Sequence, residues 1–229
     1  MIPLPVSLTV KRSRAAERML GDAARNWIES EERAPGIHAS DLLDARQAIY
    51  RKINPKTLPD RLVNIFLIGK VLHAFVLQTV DGITNVDIKT TDAGSYFSEK
   101  IGITYSPDKI VGGKVRELKT SRSYKAPDTI EDISHYLEQI LVYLASTETR
   151  TAQLWVLYLN LRDEATGKLD PCFRGYDVEI SEGDLAGLIE FCKTQKELIE
   201  KGVNLKDPKV APLCREWLCN RKLCDYYDT

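Results

Sequence analysis

The pair Gly112-Gly113 does most to limit what this chain can fold into. It separates two short runs, DKIV at 108–111 and KVRELKT at 114–120, both rich in apolar and β-branched residues. The two central positions of a tight hairpin turn take positive φ, which glycine adopts without steric cost. The spacing therefore predicts an antiparallel hairpin, and with it a sheet.

Helical patterns surround the hairpin. Residues 11–33 are rich in Ala, Arg and Glu and read as a helix stopped by Pro35-Gly36. Ser40 offers an N-cap for a helix over 41–52, punctuated by Asn54-Pro55. Residues 60–80 are apolar nearly all round, which predicts a buried helix. Residues 97–105 read as one strand. Ile130, Ile133, Leu137, Ile140, Leu141 and Leu144 recur at helical spacing. Residues 151–162 and 172–180 read as strands, and Ser181 with Asp184 resembles a capping box opening a helix to about residue 201. Helices alternating with strands predict an α/β or α+β domain: a mixed central sheet flanked by helices. There is no internal repeat. The expected division is an N-terminal helical segment (1–37), a core (38–205) and a cysteine-rich C-terminal lobe (206–229) packing on the N-terminal helices.

With 229 residues, 43% of them hydrophobic, the chain can bury a core, and no apolar run approaches a membrane span. The start MIPLPVSLTVKRSR lacks the order of a secretory signal, so the cytosol is the expected compartment and the thiols are expected to stay reduced. A formal net charge of −1 excludes a polycationic tail protein but not a local basic groove.

A basic stretch lies along the hairpin. From Lys109 to Lys125, Lys109, Lys114, Arg116, Lys119, Arg122 and Lys125 stand against a single acid, Glu117, which suits a polyanion. Glu117 and Lys119 are two apart on a strand and so share a face, and Asp108 opens the partner strand. Two carboxylates and an ammonium together suit a hard divalent cation, which lowers the pKa of bound water and offsets phosphate charge. Gln139 and Tyr143 lie i and i+4 on the next helix and interrupt its apolar stripe, with Tyr136 near the same side. Taken singly, each has an ordinary reading: charge alternation on a strand, a turn aspartate, a polar seam on a helix, a core histidine at His73.

In combination these motifs resemble the PD-(D/E)xK nuclease superfamily, in the RecB-like branch that includes the CRISPR-associated Cas-four exonucleases. The resemblance runs over about residues 38–229. It matches Gly69 and His73 to a G-x-x-x-H helix and Asp108 to the metal-binding acid. Glu117 and Lys119 match the E-x-K strand, with Thr120-Ser121 after it, and Gln139 and Tyr143 match a Q-x-x-x-Y helix. It implies a restriction-endonuclease-like core and a Mg²⁺- or Mn²⁺-dependent DNA exonuclease acting on single strands or ends. His73, Asp108, Glu117 and the Leu118 carbonyl would hold the metal. Lys119 would orient or activate water, Gln139 and Tyr143 would support it, and Arg122, Lys125 and Tyr136 would contact DNA. DNA and CRISPR adaptation or recombination proteins are the implied partners, and CRISPR adaptation, phage recombination or repair the implied role. The alternative is a non-catalytic DNA-binding or adaptor subunit.

Three of five cysteines, Cys214, Cys219 and Cys224, crowd into the last sixteen residues. In a cytosolic chain that clustering points to metal or cluster ligation before disulfides. The resemblance implies an iron–sulfur cluster, [4Fe–4S] favoured, completed by one early cysteine. Here Asp44 or Ala45 stands in that early slot, while Arg46 and Tyr50 match. Asp44, Cys172 or Cys192 are the candidate substitutes, and zinc or free thiols remain alternatives. No C-x-x-C pair is present to suggest redox sensing.

Overall fold

The computed structural model describes residues 14–30, 35–80, 95–123, 125, 134–213 and 226. The elements run in the order α1 (Arg14–Glu29), α2 (Ala39–Leu42), α3 (Ala45–Ile53), α4 (Asp60–Val80), β1 (Tyr96–Ser98), β2 (Ile103–Tyr105), β3 (Lys109–Val111), β4 (Lys114–Ser121), α5 (Ser134–Thr147), β5 (Thr151–Tyr158), β6 (Cys172–Glu179) and α6 (Glu182–Leu205).

The hairpin forms as its glycines dictate. Gly112 and Gly113 take φ of 58° and 77°, and β3 pairs antiparallel with β4 through Lys109–Arg116, Ile110–Val115 and Val111–Lys114. The sheet order is β3-β4-β5-β6. β4 and β5 are parallel and β5 and β6 antiparallel. A parallel pair needs a long crossover, and α5 supplies it. One face of the sheet carries Val115, Ala152, Leu154, Val156 and Tyr158, all buried in one core with Ile140 and Leu144 of α5, which packs on the sheet, and Ile189 and Cys192 of α6, which packs on α5. The fold is thus a mixed α+β arrangement with a mixed sheet flanked by helices. Among the described residues no helix is long and apolar enough to cross a membrane.

Three local expectations differ from the structure. Ser40 is not a cap: it lies inside α2, and the single helix expected over 41–52 breaks at Asp44, whose side chain accepts from the Gln47 N–H at 3.3 Å and caps α3. A carboxylate at an N-cap satisfies a helix-end donor that no residue of the preceding turn can reach. Residues 97–105 are not one strand. Gly102 turns back at φ 77°, its N–H bonded to the Ser98 carbonyl at 2.7 Å, and β1 and β2 form their own two-stranded sheet. Finally, α4 is not buried all round. Val63 and Ala74 are buried, but Phe66, Ile68, Val71 and Phe75 are exposed. The helix packs on α1 and on β4, and neither covers its whole circumference.

Helix α6 begins as expected, Ser181 Oγ accepting from the Asp184 N–H at 3.1 Å, and runs on to Leu205. It packs on α3 at Gly202, where a Cβ would overlap the buried Ile49 side chain and stand 2.9 Å from Val210 Cγ2. Gly202→Ala is expected to cost about 1–3 kcal/mol through overpacking, despite alanine's better helix propensity. A thermal melt lowered by about 2–10 °C checks this; an unchanged or higher melting temperature contradicts it.

Candidate active site

The β3–β4 hairpin places the acids. Asp108 stands immediately before β3, and its Oδ2 accepts the Leu118 N–H at 2.6 Å. Its own N–H donates to Glu117 Oε2 at 3.3 Å. Strand alternation puts Glu117 and Lys119 on one face, and Lys119 Nζ donates to Glu117 Oε1 at 2.6 Å. Helix α4 delivers His73, whose Nδ1 lies 3.1 Å from Asp108 Oδ1. Gly69, one turn earlier on α4, has no atom within 4 Å of the place a Cβ would occupy.

Helix α5 completes the cluster. Lys119 Nζ also donates to Gln139 Oε1 at 2.6 Å. Gln139 Nε2 donates to the Tyr143 hydroxyl at 2.7 Å, and that hydroxyl donates to the Ser106 carbonyl at 3.0 Å. The chain has a fixed polarity. The tyrosine proton is spent on a carbonyl that can only accept, so its oxygen must take the amide N–H. Gln139 is thereby held with its carbonyl toward the lysine, and the lysine is tied to the loop that carries Asp108.

Glu117 is buried, and burial pushes its carboxyl up to about 7; Lys119 pulls it down and Asp108 pushes it up. All four carboxylate oxygens of Asp108 and Glu117 already have partners: the Leu118 and Asp108 N–H groups, Lys119 and His73. Among the described residues no group of three or more His, Cys, Asp and Glu side chains stands arranged to hold a metal ion. The carboxylate oxygens keep further lone pairs, and hard oxygen donors beside one imidazole are chemically suited to Mg²⁺ or Mn²⁺.

Other sequence candidates lie apart. Arg122 and Lys125 follow β4 on the exposed side, where the Arg122 carbonyl accepts from Asn160 Nδ2 at 3.4 Å and the Lys125 carbonyl from Ser123 Oγ at 2.6 Å. Tyr136 is half-buried, packed against the core one turn before Gln139. The Leu118 side chain is buried on the opposite face from Glu117. The Ser106 carbonyl, which anchors the relay, carried no sequence signal, because a backbone acceptor has no residue type. Cys214, Cys219 and Cys224 lie outside the described residues. Cys172 is half-buried, and Cys192 sits in the core, where burial pushes its thiol up to about 11 and leaves it unsuited to thiolate ligation.

No protein-family model matches the sequence, and no curated protein matches it. Among solved structures the chain is similar to the crystal structure of SSO0001, with a TM-score of 0.56 and 18% identity over 91% of this chain and 93% of that one. This is a likeness of fold. It also aligns with the alkaline exonuclease LHK-Exo from Laribacter hongkongensis (TM-score 0.36, 16% identity, 74% of this chain and 90% of that one). A phage related exonuclease from Haemophilus somnus aligns as well (TM-score 0.38, 10% identity, 85% and 84%). At those two scores the likeness establishes nothing about activity.

Proposed function

We propose that this chain is a divalent-metal-dependent DNA nuclease of the PD-(D/E)xK superfamily, RecB-like branch, acting as an exonuclease on single strands or ends. The observation that carries the reading is the unbroken hydrogen-bonded cluster from His73 through Asp108, Glu117 and Lys119 to Gln139 and Tyr143. Asp108, Glu117, the Leu118 carbonyl and His73 would hold Mg²⁺ or Mn²⁺, which when bound supplies Lewis acidity and a more acidic water. Lys119 would orient the attacking water and offset charge developing on the phosphate. Gln139 and Tyr143 hold the lysine in place. Arg122 and Lys125, exposed just past β4, contact backbone phosphates, and the open space beside Gly69 leaves room for a strand on the His73 side. Pathways using such an activity include CRISPR adaptation, phage recombination and repair.

A purified sample incubated with end-labelled single-stranded DNA tests the reading: degradation with Mg²⁺ or Mn²⁺ and none with EDTA is expected. Binding without cutting under any divalent metal would leave a non-catalytic DNA-binding subunit instead.

The raised Glu117 carboxyl gives a second check. Protons compete with the cation for this group, so the Mn²⁺-induced rise in melting temperature is expected to be larger at about pH 8 than at about pH 6. The metal-free protein behaves in the opposite sense. Its folded state keeps a proton that the unfolded chain releases, so stability falls as pH rises from 4.5 through about 7. A metal shift independent of pH would remove Glu117 from the ligand set.

The cysteine tail belongs to the same proposal. Cys214, Cys219 and Cys224 would hold an iron–sulfur cluster, with Asp44 as the fourth ligand. Asp44 Oδ2 is buried without a hydrogen-bond partner, and a buried unpaired carboxylate oxygen fits a ligand better than it fits a cap alone. The described chain on either side of the cysteines is tied to α3. Arg46 Nε donates to the Ala211 carbonyl at 2.9 Å, Tyr226 stacks on Tyr50 at 5.1 Å between ring centroids, and the Tyr226 hydroxyl donates to the Asn54 carbonyl at 2.9 Å. Anaerobic purification is expected to give a brown, iron-containing protein whose iron is lost in Cys219→Ser. Zinc, or no metal, would replace that assignment.

A further inference from the structure

The sheet has a second face, and its outer half is open. Strand register turns Arg116, Trp155, Leu157, Phe173 and Gly175 away from the core, with Trp155 opposite Gly175 and Leu157 opposite Phe173. Phe173 is 55% exposed, and Trp155 is half-buried. The two aromatics are diagonal neighbours on adjacent strands, which places their stems about 7–8 Å apart. Gly175 leaves the space beside them clear: a Cβ there would meet only the edge of the Trp155 ring, at 3.9 Å.

Arg116 has an unusual environment. Its guanidinium carbon lies 5.5 Å from the Trp155 ring centroid. Its Nε is buried with no hydrogen-bond partner, and among the described residues Arg116 pairs with no carboxylate. The nearest acid on this face, Asp177, is already engaged by Lys114 at 2.9 Å and Gln153 at 3.0 Å, which hold it below the ordinary carboxylate range. The face therefore offers an exposed Phe173 ring, a half-buried Trp155 ring with the Arg116 guanidinium over it, and a cation that pairs with no carboxylate among the described residues. Unstacked nucleobases use aromatic side chains as platforms, and an arginine stacked on a ring still presents its donors to phosphate. A duplex keeps its bases stacked and would meet only the cation.

We propose that this outer face binds single-stranded nucleic acid, with bases stacking on Trp155 and Phe173 and a phosphate on Arg116. It is distinct from the catalytic cluster, which lies on the opposite face of β4, and it rests on the nuclease reading only for the identity of the polymer. It adds a holding site for a strand, beside the site that cuts it.

Fluorescence anisotropy with a labelled fifteen-residue oligothymidylate, in Ca²⁺ without Mg²⁺, tests this on the full chain. Phe173→Ser changes an exposed side chain with little cost to folding, and it is expected to raise Kd about 5-fold or more, as is Trp155→Leu. Arg116→Gln is expected to lower the slope of log Kd against log salt by about one. An oligonucleotide of the same length with abasic sites should bind the wild type more weakly and should not distinguish Phe173→Ser from it. Equal affinity of all three variants, or equal binding of the abasic strand, overturns the proposal. A change from dimer to monomer in Phe173→Ser at unchanged Kd also overturns it, and assigns the face to a second copy of the chain. Failure of the nuclease reading is separable. A protein that never hydrolyses DNA but loses affinity in Phe173→Ser keeps the platform; one that hydrolyses DNA while every face variant binds normally loses it.

Discussion

Lys119→Ala is expected to lower metal-dependent DNA hydrolysis by about 10²–10³-fold in kcat while the protein still melts cooperatively. Among the described residues the lysine is the one cation hydrogen-bonded to Glu117, and it sits in a mostly buried site, where a positioned positive group acts far more strongly than in water. Its loss need not unfold the chain. Without the ammonium, the buried Glu117 carboxyl is pushed further toward its neutral form, so the fold is not left with an unpaired charge. Lys119→Arg should not restore the rate, because a planar guanidinium cannot occupy the point between Glu117 and Gln139 that the ammonium bridges at 2.6 Å on each side. Glu117→Ala should lose both hydrolysis and the Mn²⁺-induced thermal shift, whereas Lys119→Ala should keep the shift. Steady-state kinetics on a labelled single strand, with melting curves with and without Mn²⁺, separate these outcomes. Full activity in both variants would place the chemistry elsewhere.

Tyr143→Phe is the second large effect, and it acts without touching the reacting atoms. The hydroxyl does two things: it accepts the Gln139 amide N–H and donates to the Ser106 carbonyl. Without it the Gln139 amide N–H loses its acceptor, the amide is held toward Lys119 by the ammonium alone, and its position against the lysine loosens. The expected loss is about 10–100-fold in kcat with little change in KM, comparable with removal of other groups that orient metal-site residues. Ser106 is exposed, so water can satisfy its carbonyl and the melting temperature should fall by only a few degrees. Gln139→Ala should match Tyr143→Phe in rate, and the double variant should be no worse than either alone, because both remove one relay. Additive losses would show that the two residues act independently.

Much of the site was legible in the chain because its parts are local. Glycines at 112 and 113 specify the turn, and alternation from that turn puts Glu117 and Lys119 on one face. The four-residue spacing aligns Gln139 with Tyr143, and Ser181 caps α6 as its side chain predicts. The misread elements share a cause. The break at Asp44 depends on a cap competing with helix propagation, and the turn at Gly102 on one glycine inside an apolar run. The exposed stripe of α4 depends on how many neighbours the topology supplies. A hydrophobic pattern records that a residue has an apolar side chain, not which partner will cover it.

What the amino-acid order determined alone is therefore the short-range geometry: the turn, the strand faces, the helix faces and the caps, all set by dihedral preferences and side-chain bonds acting over about four residues. Packing of the complete chain was needed for α4 to bring His73 to Asp108 across 35 residues of sequence, and for parallel pairing of β4 with β5 to swing α5 back until Gln139 met Lys119. The same packing spent the Tyr143 proton on Ser106 and buried Arg116 Nε on the far face with no hydrogen-bond partner among the described residues. These contacts join segments whose own preferences are silent about one another. They arise from burying the sheet against its helices, a free-energy gain that belongs to the assembled core and to no single stretch of chain.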